Sequence, residues 1–222
     1  MKKAVVLLSG GLDSAVTLWL ARSQGYDLYT LCFDYGQKHY KELKSAEKLA
    51  KLAGVKSHKT VSLNLDGWGG SSLTDESLEI ETGNLDRKDI PNTYVPARNM
   101  VFLSVAASYA EAIEARDIFI GISEADYSGY CDCRSEFIEA MQNAINKGTV
   151  SSVEKNQPIT IHTPFINKTK TEEILLAVTL GAPLEHTWSC YRGGERPCGT
   201  CDSCLLRARA FEKAGIKDPA IK

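Results

Sequence analysis

Residues 7–14 read L-L-S-G-G-L-D-S, and no other stretch limits the fold so strongly. The apolar run 4–8 enters a Ser-Gly-Gly turn, beyond which apolar residues recur at Leu12, Ala15, Val16, Leu18, Trp19 and Leu20. That pattern predicts a buried strand, a tight turn and a helix. Gly10 and Gly11 let backbone approach a ligand that a Cβ would obstruct. The helix start offers unpartnered N–H groups at the positive end of its dipole, which makes a phosphate cradle. Ser9 and Ser14 add hydroxyl donors, and the Asp13 carboxylate can hold Mg²⁺ against the phosphates. The plain alternative is a glycine turn with no ligand.

The stretch lacks the lysine of G-x-x-x-x-G-K-[ST], and it is not G-x-G-x-x-G. Instead S-G-G-L-D-S resembles the pyrophosphate loop of ATP pyrophosphatases, which cleave ATP between the α and β phosphates. Downstream, residues 27–33 read as a second strand, 42–53 as a helix ending at Gly54, and 58–63 as a third strand. This alternation predicts an α/β fold, an open and mostly parallel sheet with helices on both faces. Residues 64–92 show no clear period and carry many acids, so they read as a mobile lid or a partner-contacting segment, or as a plain exposed insertion. Residues 98–114 suit a buried helix and 117–122 a fourth strand, with Gly121 placed for close approach of a ligand. Ser135 is set to cap a helix running to about residue 147. Residues 159–162 suit a short strand. Thr169 and Glu172 form a capping box for a helix ending at Gly181, and a last helix spans about 203–214.

The 222 residues fit one domain, with 185–222 a metal-bearing appendage at its C-terminal end. A hydrophobic fraction of 43% and a net charge of −2 favour a soluble protein and give no electrostatic case for nucleic acid. There is no apolar run of membrane-spanning length, and residues 1–8 are too short for a signal peptide core. The expected location is the cytoplasm, where seven cysteines point to metal binding or reactive thiols over disulfides. Cys190, Cys198, Cys201 and Cys204 form C-x7-C-x2-C-x2-C among Gly193, Gly194, Pro197 and Gly199. Four thiolates at that spacing suit structural Zn²⁺. The competitor is an iron–sulfur cluster, whose usual motif adds a Cys-Pro that is missing here. Cys32 reads as a core residue, while Cys131 and Cys133 flank Asp132 in a ligand-side loop.

Further stretches are F-D-Y-G-Q-K-H (33–39), V-P-A-R-N (95–99), D-Y-S-G-Y-C-D-C-R (126–134), and T-P-F with Lys168. With the opening turn and the cysteines, this ordered set resembles the 7-cyano-7-deazaguanine synthase family over nearly the whole chain. Cys131 stands where family members usually carry proline. The resemblance implies a Rossmann-like fold of the adenine nucleotide alpha-hydrolase type and a zinc-bearing C-terminal segment. It also implies an ATP-dependent reaction of 7-carboxy-7-deazaguanine with ammonia to give the 7-cyano compound, a queuosine precursor, and a homodimer. The cofactor set is ATP, Mg²⁺ and Zn²⁺. Leu8, Ser9, Gly10, Gly11, Leu12, Asp13, Ser14, Phe33, Tyr35, Gly36, Gln37 and Arg98 are then the nucleotide-binding positions. Asp13, Lys168 and Arg98 carry the chemistry, with Lys168 offsetting charge on the departing pyrophosphate. Asp126, Tyr127, Asp132 and Arg134 bind the substrate: a carboxylate accepts from a guanine-like amine, and Arg134 meets the 7-carboxylate. His39 is offered as a proton shuttle. Free ammonia is the expected nitrogen donor, since no glutaminase segment is evident. Other readings are a related amide-forming or tRNA-thiolating enzyme, and a zinc-ribbon protein whose nucleotide site only senses.

Overall fold

In the computed structural model, residues 1–85, 87, 89–123 and 130–221 are described. Strand β1 (Lys3–Leu7) leads into α1 (Leu12–Ser23), then β2 (Asp27–Asp34), α2 (Lys41–Ala53) and β3 (Ser57–Ser62). Helix α3 (Arg98–Ala112) and β4 (Asp117–Phe119) follow. After them come α4 (Ser135–Gly148), α5 (Val150–Val153), β5 (Thr160–His162), α6 (Lys170–Thr179) and α7 (Asp202–Ala214). The five strands run parallel in the order β3-β2-β1-β4-β5.

The strands are apolar because both faces are covered. Along β1 and β2, Val5, Leu7, Leu31 and Phe33 point to one face, where they pack with Leu103 and Ala106 of α3 and Ile138 of α4. Ala4, Val6, Leu28 and Cys32 point to the other, against Ala15 and Leu18 of α1 and Leu49 of α2. That period of two is the side-chain alternation of a strand. A third cluster joins α6 and α7 to α1 through Phe165, Ile174, Phe211 and Val16. Burial pushes the Cys32 thiol up to about 12, with Glu42 adding to it, as expected of an inert core residue. Among the described residues, no helix is long and apolar enough to cross a membrane.

Two local expectations change. Helix α4 begins at Ser135 and is capped from the extended Arg134, so Ser135 is its first residue and not its cap. Gly121, which borders the cavity described below as expected, also packs on α1: a Cβ there would stand 2.7 Å from the Asp13 carbonyl group and the Thr17 hydroxyl. The second change concerns residues 64–92, whose described part is not a plain exposed insertion. Leu65, Leu73 and Ile80 are buried in the core, and Ser71 and Ser72 are fully covered. Gly83 N–H donates to the Thr200 carbonyl at 2.7 Å and Asn84 N–H to Asp202 at 2.7 Å. The Arg192 guanidinium donates to the Ile80 carbonyl at 2.7 Å. The segment therefore straps the cysteine motif to the sheet.

The C-terminal segment is anchored as well. Arg207, 6% exposed, makes two bonds of 2.6 and 2.9 Å to the Asp218 carboxylate and one of 2.8 Å to Thr187. Trp188 N–H donates to the Gly10 carbonyl at 3.0 Å, which ties this segment to the first turn.

The Gly121 contact makes a prediction. Gly121→Ala is expected to cost about 1–3 kcal/mol by overpacking and to weaken ATP binding, because the α1 start must shift. Thermal melting and nucleotide titration test it; unchanged values for both would refute it.

Candidate active site

The strand order reverses on either side of β1, so the carboxyl ends of β1 and β4 border a crevice where open α/β sheets bind ligands. A cavity of about 280 Å³ lies there. Its walls come chiefly from four separate parts of the chain. They are the turn after β1, the end of β2 with the start of α2, the start of α3, and the segment from Trp188 through Arg207.

The turn is held by its own hydroxyls. Ser9 Oγ donates to Ser14 Oγ at 3.0 Å, and Ser14 Oγ donates to the Gly11 carbonyl at 3.0 Å. The N–H groups of Gly10 and Gly11 donate to Ser14 Oγ and Ser9 Oγ, each at 3.2 Å. Gly10 has φ +90°, and a Cβ on it would collide with the Glu42 carbonyl oxygen of α2. Its role is to let α2 close on the turn, whereas Gly11 faces the cavity.

Asp13, in the first turn of α1, forms an ion pair with Lys170 Nζ at 2.5 Å. Lys170 also reaches Glu173 at 3.2 Å, and the Glu173 side chain is 1% exposed. Burial opposes the charge on Lys170, but Asp13 and Glu173 outweigh it and hold the ammonium above its usual range. Burial, reinforced by Asp13, pushes the Glu173 carboxyl up to about 8.

Arg98 opens α3 behind Ala97, whose backbone is left-handed at φ 53°. It donates to the Tyr35 hydroxyl at 3.3 Å, and Tyr130 and Tyr191 stand beside it on the cavity wall. Burial raises all three tyrosines, so each keeps its proton at neutral pH. Gln37 stitches the end of β2, accepting from Tyr35 N–H at 2.8 Å and donating to the Phe33 carbonyl at 3.2 Å. Phe33 stacks on Phe102 with centroids 4.0 Å apart.

Leu8, Ser9, Gly11, Leu12, Asp13, Ser14, Phe33, Tyr35, Gln37 and Arg98 all line this cavity. Gly10 and Gly36 do not; Gly36 packs on the Asp66 side chain. Lys168 is exposed and lies off the cavity, so the lysine brought to the turn is Lys170. The capping box held the clue. Thr169 and Glu172 exchange both bonds, which makes Lys170 the first helical residue and sets Glu173 on the same face three positions on.

Asp132 is turned away from the cavity and holds the start of α3, where its Oδ2 accepts from Asn99 N–H at 2.9 Å. Arg134 is exposed and does not line the cavity. Asp126 and Tyr127 lie outside the described residues. His39 lines the cavity, and burial lowers its pKa, with Lys41 adding to the effect against Cys190. Glu42, Trp188, Tyr191 and Arg207, none of them expected from sequence, complete the walls. Cys133 is hydrogen-bonded by Asn99 Nδ2 at 3.3 Å, and burial pushes its thiol up to about 12, which disfavours thiolate chemistry.

The sulfurs of Cys190, Cys198, Cys201 and Cys204 all lie within 4.8 Å of one another. A tetrahedral zinc site with bonds of about 2.3 Å needs sulfurs roughly 3.8 Å apart, and the Cys198–Cys204 pair stands at 3.9 Å. N–H groups of Thr200 and Cys201 donate to Cys198 Sγ at 3.4 Å each, the support that a thiolate ligand requires. The donor set can hold such a metal ion.

The chain resembles a protein of Clostridium kluyveri named 7-cyano-7-deazaguanine synthase. The two are 58% identical over 219 residues, covering 99% of this chain and 97% of the relative. A Desulfitobacterium hafniense protein of the same name is 53% identical, covering 99% of this chain and 92% of its own. In fold, the chain is similar to NMN synthetase from Francisella tularensis, with a TM-score of 0.55 at 16% identity over 97% of this chain and 78% of that one. The family model for the queuosine biosynthesis protein QueC matches residues 3–215, and with relatives this close along the full length, the chain belongs to the QueC family.

Proposed function

We propose that the chain is a 7-cyano-7-deazaguanine synthase that joins ammonia to 7-carboxy-7-deazaguanine at the expense of ATP, with the nitrile as product. The observation that carries this reading is the cavity in which the phosphate turn, Lys170 and Arg98 converge beside aromatic walls. A carboxylate is a poor electrophile, and transfer of AMP to it supplies a leaving group. The β and γ phosphates would rest on the turn from Gly11 to Ser14, at the positive end of α1. Asp13 would hold Mg²⁺ there, which offsets phosphate charge when bound. Lys170 faces the same point and Arg98 the nucleotide. Ammonia displaces AMP to give an amide; a second adenylation, on the amide oxygen, and loss of AMP leave the nitrile. The four cysteines suit structural Zn²⁺, with no part in these steps.

The test is a chromatographic assay with the deazaguanine acid, ammonium and MgATP. AMP, pyrophosphate and the nitrile should form together, and only with all three present. Tight ATP binding without turnover would instead favour a sensing role, and sulfur transfer to tRNA a thiolating one.

A further inference from the structure

Glu42 lines the same cavity from the first turn of α2, and the steps above make no use of it. Its carboxylate makes no hydrogen bond or ion pair among the described residues. The cations nearby are engaged elsewhere. Lys41 Nζ donates to the Glu195 carbonyl at 2.9 Å and sits 4.3 Å from the Trp188 ring. Arg98 is directed at the Tyr35 hydroxyl. The close fit of Gly10 under the Glu42 carbonyl fixes this turn of α2 against the phosphate turn. The backbone of this turn is therefore fixed beside the phosphate turn, and the Glu42 side chain opens on the cavity with its acceptor capacity unspent.

We propose that Glu42 receives the proton that ammonia sheds as it attacks the adenylated acid. This rests on the synthase reading above. The nitrogen lone pair forms the C–N bond. The bond from the carbonyl carbon to the bridging oxygen breaks, and its electron pair leaves on AMP. One N–H proton passes to the Glu42 carboxylate and thence to water. The groups whose charge reaches Glu42 are Arg98 from α3, Cys32 and Tyr35 from β2 and its end, and Cys190 from the cysteine segment.

Glu42→Gln keeps the shape and removes the acceptor. Exchange of labelled pyrophosphate into ATP, run with the acid and no nitrogen donor, should stay within about threefold of the unaltered enzyme. Ammonia-dependent turnover should fall about 100-fold. Hydroxylamine, far less basic and a stronger nucleophile, should react with the variant almost as with the unaltered enzyme. Glu42→Asp should recover part of the ammonia rate, and His39→Gln should leave the ratio of ammonia to hydroxylamine rates unchanged. The proposal is overturned if Glu42→Gln keeps the full ammonia rate. Equal losses in exchange, ammonia and hydroxylamine rates also overturn it, since they mark a structural role. So does a ratio that shifts in His39→Gln alone. Absence of acid-dependent exchange in the unaltered enzyme overturns it together with the synthase reading, and is told apart because exchange then fails before any substitution.

Discussion

Lys170→Met is expected to lower turnover by about 10²- to 10³-fold, the loss typical of one well-placed group that stabilises transition-state charge. Lys168→Met should change stability by less than about 0.5 kcal/mol and leave turnover near its original value, as for an ordinary surface substitution. The contrast follows from placement, since Lys170 is paired with Asp13 at 2.5 Å inside the cavity while Lys168 is exposed. Without Lys170, two carboxylates face each other with no cation between them. Glu173 already titrates high, at about 8, so it answers by keeping its proton. A carboxyl whose folded pKa is raised stabilises the fold below its unfolded value and loses that contribution as pH rises through the folded one. The unaltered protein loses the same contribution up to about 8, so the melting deficit of Lys170→Met should widen only as pH rises above about 8. Steady-state kinetics of the two variants decide the matter, and equal losses at positions 168 and 170 would show that the cavity is not where phosphate is held.

Removing metal should have the other large effect. Structural zinc in small thiolate sites contributes on the order of 10 kcal/mol of apparent folding free energy. Here the loss would not stop at the cysteines. Trp188, Ser189 and Tyr191 flank Cys190 and line the cavity. Gly83 and Asn84 hang on Thr200 and Asp202. A strong chelator, or Cys201→Ser, should thus speed hydrogen exchange first in the strap before α3 and around the cysteines, then weaken ATP binding. Protection of β1 and α1 should persist longest. A protein that melts at the same temperature with no detectable metal would refute this.

The alternating strands and helices were legible because each buries a continuous apolar face, and the capping box of α6 showed the start of that helix. The turn between β1 and α1 was legible because its glycines, serines and aspartate are contiguous. What was hidden is what depends on distant partners. Leu65, Leu73 and Ile80 are buried without a period, so the strap read as a loop. Asp132 looked free for a ligand because its partner, the Asn99 N–H, lies far back along the chain. The packing of Gly121 on α1 was hidden because the Asp13 carbonyl it meets belongs to another element. Glu42 drew no notice, since nothing in its spacing shows that α2 closes on Gly10.

The parallel sheet has a kinetic consequence. The central strand finds its second neighbour only when Ala4 meets Asp117, more than half a chain later. Contacts of such long sequence separation must be closed against chain entropy before they stabilise anything, so folding is slow for a domain of this size. On the ribosome, β1, α1 and β2 emerge able to pair at once, while the cysteines come last. The hydrogen bond from Trp188 to Gly10 can therefore form only late, when the segment that carries Cys190 closes on the first turn.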